Sequence, residues 1–513
     1  MLRTELIAPL ATLLERHAAR NGAKIAFRDA SSSVTYADLA RRTANIASHL
    51  ADLGVGPGDR VAIYLPNSVA WVEAVLGIVR AGGIAVPISV DASESEVAYR
   101  LSDAACRLVF TLAAKADSVN GLRAEAPSLE KIIPVDVPAE GLSFAEMAES
   151  AGSAPARDAP DIDCAAFLVY TSGTTGKAKG VLLSCRGMLW VTAACWAPAL
   201  GLSEDDTVLS PLPLFHSYAL NLAVISIVAT GASIYLMERY STSEALRLLQ
   251  SGEFTVLPAV PTIFHYLMEG AREQGDLDLS HLRVCVSAGA ILPATLNREF
   301  EELFGVPLLD GYGITETSTM VTMNAAQSGR VPGSCGLPLA GLAVRIVDPA
   351  TLRDCDPGEE GELIVRGPNV MLGYLNKPEE TAKALRNGWY HTGDLAKADR
   401  NGFITITGRI KELIIRGGQN IAPAEIEEVV LKLACVMDCA VAGLPDEGLG
   451  EVPGLFVIPR DASFSEAVVI EHCRQHLSSY KVPAVVQVVD QIPRTGSGKI
   501  IRFQLRELIT KRN

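Results

Sequence analysis

The segment YTSGTTGKAKG, residues 170–180, lies between two short apolar runs, CAAFLVY (164–170) and GVLLS (180–184). Runs of this length and composition are typical of buried strands, so the sequence predicts a strand, a tight loop and a second strand. The glycines of the loop leave backbone N–H groups free, and its Ser, Thr and Lys side chains add further donors. Such a loop suits a phosphate group, although a structural turn fits the same residues. It is not a Walker phosphate loop, because GxxxxGK[ST] occurs nowhere in the chain.

Strand-like and helix-like runs alternate on either side of this loop over roughly the first three hundred residues. The run RVAIYLP (60–66) precedes the helical pattern SVAWVEAVLGIVRAGG (68–83), and the strand-like IAVPISV (84–90) follows it. Because such alternation packs helices against largely parallel strands, it predicts an α/β fold of layered β-sheets flanked by helices. From about residue 340 the pattern changes to short extended segments, in which Asn401-Gly402 is a strong hairpin signal. These segments predict a small β-barrel-like part.

A second unit begins after Gly408. An amphipathic helix that starts at Pro423 is followed by two strands, a helix and a third strand, over about a hundred residues. This order predicts a small α+β domain at the C-terminal end of the chain.

The formal net charge of the 513-residue chain is −14, from 45 basic and 59 acidic side chains. A surface this acidic repels nucleic-acid phosphates, which argues against bulk nucleic-acid binding. An anionic ligand would therefore need a local positive site made of backbone N–H groups, lysines or a metal ion.

Residues 207–237 contain no Asp, Glu, Lys or Arg, which raises the question of a membrane span. Two prolines, a histidine and an asparagine interrupt the first half, and Gly231 separates an apolar run from a strand-like one. The segment therefore predicts a buried helix followed by a buried strand. The N-terminal residues are typical of an amphipathic helix rather than a signal peptide, so we expect a cytoplasmic protein without a membrane span.

The ten cysteines are scattered along the chain, and in the absence of an export signal we expect them to be reduced thiols. Cys435 and Cys439, together with His472 and His476, faintly resemble a zinc site in their spacing. Because the two cysteines belong to an apolar run, we expect them to be core residues instead.

Four further motifs follow the loop. DGYGITET (310–317) places an aromatic ring beside glycines, where a purine could stack, and GWYHTGD (388–394) ends in a carboxylate that can accept two ribose hydroxyls. GRIKELIIRGGQN (408–420) contains Arg409, and PRTGSGKI (493–500) carries a lysine on a glycine-flanked loop. Each has an ordinary explanation when it is taken alone, as a core tyrosine, a capping aspartate or a solvated lysine.

Taken together and in this order, the motifs resemble the superfamily of adenylate-forming enzymes, which holds acyl-CoA synthetases, adenylation domains of peptide synthetases and luciferases. The similarity is greatest to acyl-CoA synthetases and covers essentially the whole chain. It implies a large N-terminal domain that binds ATP and an acid (residues 1–408), a hinge (409–411) at Lys411, and a mobile C-terminal lid domain (412–513).

The resemblance also implies a reaction in two halves. A carboxylate attacks the α-phosphorus of ATP and releases pyrophosphate, and a thiol, usually that of coenzyme A, then displaces AMP from the acyl-adenylate. The implied cofactors are ATP, Mg²⁺ and coenzyme A.

Matching the family's motifs assigns roles to single residues in the first half-reaction. The expected contacts of the ATP phosphates in the loop are Thr171, Ser172, Gly173, Thr174, Thr175, Gly176 and Lys179. The expected nucleoside contacts are Asp310, Gly311 and Tyr312 at adenine and Asp394 and Arg409 at the ribose. Thr315 would bond the α-phosphate, Glu316 would hold Mg²⁺, and Lys499 would reach from the lid to the α-phosphate and the acid.

The second half-reaction adds three expected residues. Gly417 and Gly418 would line the pantetheine tunnel after the lid rotates, since small residues permit a close approach. His216 would border the acyl-adenylate, and a buried, satisfied histidine is the alternative.

The resemblance narrows the class of acid. Amino-acid-activating relatives carry an Asp near the position of His216 and malonate-activating ones an Arg at that of Gly311, and this chain has neither. We therefore expect a fatty, aryl or other apolar acid, in a pocket built from the FHSY, VPTIF, SAGA and GITET segments. Gly289 and Gly311 are expected to leave room in it.

Two other functions stay open at this point. The adenylate could be handed to the phosphopantetheine of a carrier protein, or the chain could be a nucleotide-binding homologue that has lost one half-reaction. A homodimer is also possible from the sequence.

Overall fold

The structure is a computed structural model that describes residues 1–137, 143–158, 161–171, 178–275, 277–326, 329–494 and 500–510 of the 513-residue chain. The α-helices are Leu10–Asn21, Tyr36–Asp52, Val69–Arg80, Glu94–Asp103, Ala113–Gly121, Phe144–Glu149, Cys185–Val191, Ser217–Ala219, Ser226–Thr230, Thr242–Leu249, Pro261–Gln274, Ala294–Phe304, Pro378–Ala384, Pro423–Val430, Glu466–His476 and Arg502–Thr510. The 3₁₀ turns are Thr4–Leu6, Leu122–Ala124, Thr315–Thr317, Ile410–Glu412 and Ser479–Lys481, and π-helical segments span Thr192–Leu200 and Leu220–Ile225.

Two mainly parallel sheets form the centre of the N-terminal part. The strands of sheet A, from one edge to the other, are Leu337–Pro338, Thr322–Met323, Leu308–Tyr312, Val284–Ser287, Val256–Ala259, Thr207–Ser210, Ser233–Leu236, Ile25–Arg28 and Ser33–Thr35. Those of sheet B are Gly373–Tyr374, Lys179–Ser184, Ala165–Thr171, Ile84–Pro87, Arg60–Tyr64, Leu108–Thr111 and Lys131–Pro134. Neighbouring strands run parallel from Leu308–Tyr312 to Ile25–Arg28 in sheet A and from Ala165–Thr171 to Lys131–Pro134 in sheet B, which confirms the α/β prediction.

A third sheet, sheet C, follows in the sequence and is antiparallel. Its strands are Ala343–Val347, Gly361–Arg366, Trp389–Ala398 and Leu385–Arg386, with Ile404–Arg409 paired to Trp389–Ala398. The hairpin predicted at Asn401-Gly402 is confirmed, because Ala398 pairs with Ile404 and Gly402 takes the positive φ of 86° that this turn requires.

The C-terminal unit is built around sheet D. Its strands are Gln419–Ile421, Ile414–Arg416, Gly450–Pro459 and Val436–Asp446, with Val485–Val488 parallel to Gly450–Pro459. The unit has a core of its own, in which Ile426, Val441, Leu455 and Cys473 are fully buried. The predicted order of helix, two strands, helix and strand is confirmed.

Local sequence explains where the helices begin. Val69–Arg80, for example, follows Ser68, whose hydroxyl accepts a hydrogen bond from the backbone N–H of Trp71 at 3.2 Å. The indole of Trp71 is buried in the core between sheets A and B and their helices.

The charge-free segment 207–237 contains the predicted buried helix and strand, Ser226–Thr230 and Ser233–Leu236, and also a strand, Thr207–Ser210, that the prediction missed. Within the described residues, no helix is both long and apolar enough to cross a bilayer. None of the ten cysteines, all of which lie in the described ranges, forms a disulfide. Cys435 and Cys439 are buried in the core of the C-terminal unit, as predicted.

Candidate active site

The loop 170–180 joins two neighbouring strands of sheet B. Ala165–Thr171 and Lys179–Ser184 are antiparallel, and Thr171 pairs with Lys179 at their ends. The two predicted strands are thus confirmed. The following predicted site residues lie outside the described residues: Ser172, Gly173, Thr174, Thr175, Gly176 and Lys499.

Three predicted site residues from two sheets meet at one carboxylate. The hydroxyl of Tyr312, at the end of a strand of sheet A, donates to Oδ2 of Asp394 at 2.5 Å. Arg409, paired across sheet C with Asp394, places its Nε 2.9 Å from Oδ1. Asp394 is only 4% exposed, and each of its oxygens keeps a lone pair for a further donor. The arrangement can hold two hydroxyl groups of a ligand.

The pKa values of Tyr312 and Arg409 are both raised in this cluster. Burial raises the pKa of Tyr312 well above its usual value, and the negative charge of Asp394 raises it further, so the phenol stays a donor. Asp394 raises the pKa of Arg409 in turn, which keeps the guanidinium charged. Burial also raises the pKa of the Asp310 carboxyl well above its usual range, two residues earlier on the same strand.

Gly311 does not leave room for a ligand, which corrects the prediction. A Cβ at this position would lie 2.4 Å from Cε of Met320 and 2.6 Å from Sδ of Met323, so methionine side chains already fill that space. Gly289 does border open space, with a positive φ of 88° and only Val260 within 4 Å of a Cβ built there.

The turn Thr315–Thr317 presents the other predicted residues of the DGYGITET motif. The backbone around this turn is strained and closely packed. Ser318 and Thr319 take positive φ angles of 51° and 101°, and a Cβ at Gly313 would lie 1.7 Å from the carbonyl oxygen of Thr319. Such strain in non-glycine residues is typical of functional sites. Asn369, which the sequence reasoning missed, secures the turn by donating to the carbonyl oxygens of Thr317 and Met320 at 2.9 and 2.8 Å.

Thr315 and Glu316 point in different directions from this turn. The hydroxyl of Thr315 lies 3.0 Å from that of Ser217, next to His216. The carboxylate of Glu316 accepts a hydrogen bond from the hydroxyl of Tyr374 at 3.0 Å. Lys179 forms an ion pair with Glu380, and its Nζ lies 5.1 Å from the centre of the Tyr374 ring. The sequence predicted neither Tyr374 as a partner of Glu316 nor Glu380 as a partner of Lys179.

The turn Thr315–Thr317 offers a metal ion the carboxylate of Glu316. In the part of the chain that the structure describes, no three His, Cys, Asp or Glu side chains cluster at metal-binding distance. Mg²⁺ is commonly held by one or two carboxylates together with the phosphates of its nucleotide, so the hard oxygens of Glu316 fit this ion.

A cavity of about 410 Å³ is bordered by His216 and Gly289 and by segments that follow strands of sheets A and B, and Arg494 of the C-terminal unit also lies in its wall. A much smaller cavity, bordered by His216, Gly289 and Thr315, adjoins its inner end. Nδ1 of His216 accepts from the backbone N–H of Tyr218 at 3.3 Å and caps the short helix Ser217–Ala219. The four predicted pocket segments all contribute to these walls.

The outer half of the large cavity has residues that the sequence did not predict. The apolar and aromatic ones include Leu65, Val90, Tyr240 and Tyr266, and the charged ones are Asp91, Glu238, Arg239 and Arg494. Asp91 and Arg239 form an exposed ion pair at 3.0 Å. These residues add charged groups to a pocket that was predicted from four mostly small or apolar segments.

Arg494 comes from the C-terminal unit. Its guanidinium binds both carboxylate oxygens of Asp438 at 3.0 and 2.9 Å, and its backbone pairs with Ile500. Residues 494 and 500 flank the segment that contains Lys499. Gly417 and Gly418, in contrast, form an exposed two-residue turn with positive φ between Ile414–Arg416 and Gln419–Ile421, and they border neither cavity.

Known proteins resemble the chain over most of its length. Residues 14–375 match the profile of the family described as AMP-binding enzyme, and residues 425–499 match that described as AMP-binding enzyme C-terminal domain. A 3-(7a-methyl-1,5-dioxo-octahydro-1H-inden-4-yl)propanoyl:CoA ligase of Mycobacterium tuberculosis is 37% identical over 477 residues, which cover 90% of this chain and 91% of the relative. A feruloyl-CoA synthase of an Amycolatopsis species is 34% identical, with 94% and 95% covered.

A solved structure shares the whole architecture. The crystal structure of ATP-bound MatB from Rhodopseudomonas palustris has a TM-score of 0.89 and 32% identity, with 97% of this chain and 98% of that chain covered.

Proposed function

Because the chain belongs to the family of AMP-binding enzymes and is an adenylate-forming acyl-CoA ligase, we propose that its substrate is an apolar monocarboxylic acid. The observation that carries the proposal is the cavity of about 410 Å³, which begins at His216 and Gly289 beside Thr315. Two relatives are named for acids that contain rings, which supports an aryl or alicyclic acid. Aromatic walls at Tyr240 and Tyr266 suit such a ring.

In the first half-reaction, a carboxylate oxygen of the acid bonds to the α-phosphorus of ATP while the bond to the bridging oxygen breaks and pyrophosphate leaves. Tyr312 stacks on adenine, and Asp394 accepts the ribose hydroxyls while Arg409 binds its other oxygen lone pairs. Thr315 donates to the α-phosphate. Lys499 supplies positive charge where anionic charge builds up, and such preorganised charge contributes several kcal/mol. Glu316 would hold Mg²⁺ together with the phosphates, and the bound ion would supply positive charge to the leaving pyrophosphate.

The position of Arg494 supports adenylate formation as the half-reaction that fits the orientation of the C-terminal unit in the structure. Arg494 lies in the wall of the acid cavity and flanks the segment that contains Lys499. The unit in this orientation therefore suits adenylate formation.

In the second half-reaction, the thiolate of coenzyme A attacks the acyl carbonyl and AMP leaves. The thiol must approach where Lys499 was, so the C-terminal unit rotates and brings Gly417 and Gly418 to the pantetheine. We place the hinge at Ile410–Lys411, because ion pairs hold the chain on both sides of these residues. Arg409 is bound to Asp394 of sheet C, and Glu412 is bound at 2.9 Å to Arg502 of the C-terminal unit.

A panel of acids tests the proposal. Aryl, alicyclic, saturated fatty, amino and dicarboxylic acids are each incubated with ATP, Mg²⁺ and coenzyme A, and pyrophosphate and thioesters are measured by mass spectrometry. We expect turnover with the apolar monocarboxylic acids. Preference for an amino acid or a dicarboxylate would contradict it.

The acyl acceptor is tested in parallel. Replacing coenzyme A by holo-carrier proteins should abolish thioester formation if free coenzyme A is the acceptor. Faster transfer to a carrier protein would favour the loading function instead.

A further inference from the structure

Tyr374 contacts two of the groups that the proposed function assigns to the ATP phosphates. Its hydroxyl donates to Oε1 of Glu316 at 3.0 Å, and its ring lies 5.1 Å below Nζ of Lys179. One side chain therefore connects the turn Thr315–Thr317 to the end of the phosphate loop.

The backbone around Tyr374 is fixed to the same two elements. Leu372 and Leu375 donate to the carbonyl oxygens of Leu182 and Gly180 at 2.9 and 2.8 Å, which attaches this segment to the strand after the loop. Met371 donates to the carbonyl oxygen of Glu316 at 2.8 Å. The segment 371–375 thus connects sheet B to the turn that carries Glu316, and these hydrogen bonds hold Tyr374 in a fixed position.

We propose that Tyr374 is a positioning residue for the magnesium–ATP complex: its hydroxyl orients the Glu316 carboxylate toward the metal, and its ring holds the Lys179 ammonium beside the phosphates. This inference rests on the proposed metal role of Glu316. A carboxylate that ligates a metal depends on the hydrogen bond to its other lone pairs, because that bond fixes its rotamer. An ammonium over an aromatic face keeps its charge while losing orientational freedom.

Two substitutions separate the contributions of hydroxyl and ring. Tyr374→Phe removes only the hydroxyl, and Tyr374→Leu removes the ring as well. Isothermal titration calorimetry measures ATP binding to each variant, once with Mg²⁺ and once with EDTA. No acid is present, so the readout is binding and not turnover.

We expect Tyr374→Phe to weaken binding of the magnesium complex about tenfold, as for loss of a hydrogen bond that orients a metal-binding carboxylate, and to leave binding in EDTA unchanged. Tyr374→Leu should in addition weaken binding in EDTA by about two- to fivefold, because Lys179 contacts phosphate without the metal. Tyr235→Phe is the matched control. Tyr235 lies on a strand of sheet A, where its ring packs against Phe254 and Arg28, and its loss of a hydroxyl should change neither affinity.

A double-mutant cycle with Glu316→Gln tests whether Tyr374 acts through Glu316. The variant with both Tyr374→Phe and Glu316→Gln should bind the magnesium complex no more weakly than Glu316→Gln alone. Additive losses, or an equal loss with and without Mg²⁺ for Tyr374→Phe, would overturn the inference.

The cycle also distinguishes failure of the inference from failure of its premise. If Glu316→Gln weakens magnesium-dependent binding and Tyr374→Phe does not, the positioning role is wrong and the metal role of Glu316 stands. If Glu316→Gln has no effect, the metal role is wrong and the inference falls with it. Thermal unfolding of each variant checks that it is folded, and Tyr374→Phe keeps the volume of the side chain should Tyr374→Leu fail to fold.

Discussion

The proposed ribose site and the C-terminal unit, which contributes Arg494 to the wall of the large cavity, are held in place by different means. Asp394 is 4% exposed and binds both Tyr312 and Arg409, which belong to strands of two sheets. One contact of the C-terminal unit with the N-terminal part is the ion pair of Arg460 and Glu269 at 3.1 Å, whose side chains are 34% and 36% exposed. The first arrangement suits a group that stays fixed, and the second suits the movement proposed for the C-terminal unit.

The difference in exposure is also a difference in energy. Hydrogen bonds to a buried charged group contribute about 1.5–3 kcal/mol each, whereas a partly exposed ion pair contributes about 0–1 kcal/mol. The contacts of Asp394 therefore resist displacement, whereas the pair of Arg460 and Glu269 opposes the proposed rotation of the C-terminal unit only weakly.

The largest effect should come from the charge that the moving unit supplies. Lys499→Ala should reduce adenylate formation by about 10²–10³-fold, as for loss of a single preorganised donor to a developing anion. Thioester formation from a supplied acyl-adenylate should remain largely intact, because the C-terminal unit has then turned away. ATP–pyrophosphate exchange measures the first half-reaction and release of AMP the second, and equal losses in both would contradict the role of Lys499.

A substitution at Asp394, which belongs to the fixed part of the site, should give the next largest effect. Asp394→Asn leaves one acceptor oxygen and removes the anion that faces Arg409, so we expect ATP to bind about ten- to a hundredfold more weakly. Calorimetric titration measures the affinity.

Asp354→Asn is the matched control for this change. Asp354 pairs with Arg345 at 2.6 Å in the same sheet but is 68% exposed, and its loss should leave ATP affinity unchanged. A similar loss in both variants would mean that the ribose assignment of Asp394 is wrong.

Stiffening the connection between the units should have a smaller and one-sided effect. Lys411→Pro opposes the change in backbone angles that the rotation needs by more than about 1 kcal/mol, which slows thioester formation at least about fivefold. Adenylate formation should be spared. If neither half-reaction changes, the hinge lies elsewhere.

The sequence predicted most of the architecture because the relevant signals are local. The alternation around 60–90, the hairpin at Asn401-Gly402 and the helix after Pro423 depend on neighbouring residues and agree with the structure. The motifs also named Tyr312, Asp394 and Arg409 as one group, and the structure brings them together.

What the sequence did not predict depends on packing between distant segments. Asp91, Arg239 and Arg494 reach the cavity mouth from three separate loops, and no spacing in the chain relates them. Gly311 was expected to give room, but whether a glycine faces a ligand or Met320 depends on the fold. Tyr374 ends the segment GELIVRGPNVMLGY (361–374), and only its contacts with Glu316 and Lys179 distinguish it from a core aromatic residue.

The smallest effect, and the sharpest test of the comparison, concerns the ion pair between the units. Glu269 binds Arg460 of the C-terminal unit at 3.1 Å and Arg272 of its own helix at 2.8 Å. Arg460→Gln removes only the first contact and should slow adenylate formation by no more than about fivefold, the value of a partly exposed pair. Thioester formation from a supplied adenylate should be as fast or faster, because the rotated orientation becomes easier to reach.

Arg272→Gln is the matched control, because it removes a partner of the same Glu269 carboxylate within one helix. It should leave the ratio of the two half-reactions unchanged. High salt should abolish the difference between wild type and Arg460→Gln, since exposed charges are screened. If Arg272→Gln shifts that ratio as much as Arg460→Gln, the carboxylate of Glu269 acts within the N-terminal part, and the orientation of the C-terminal unit is set by contacts other than this pair.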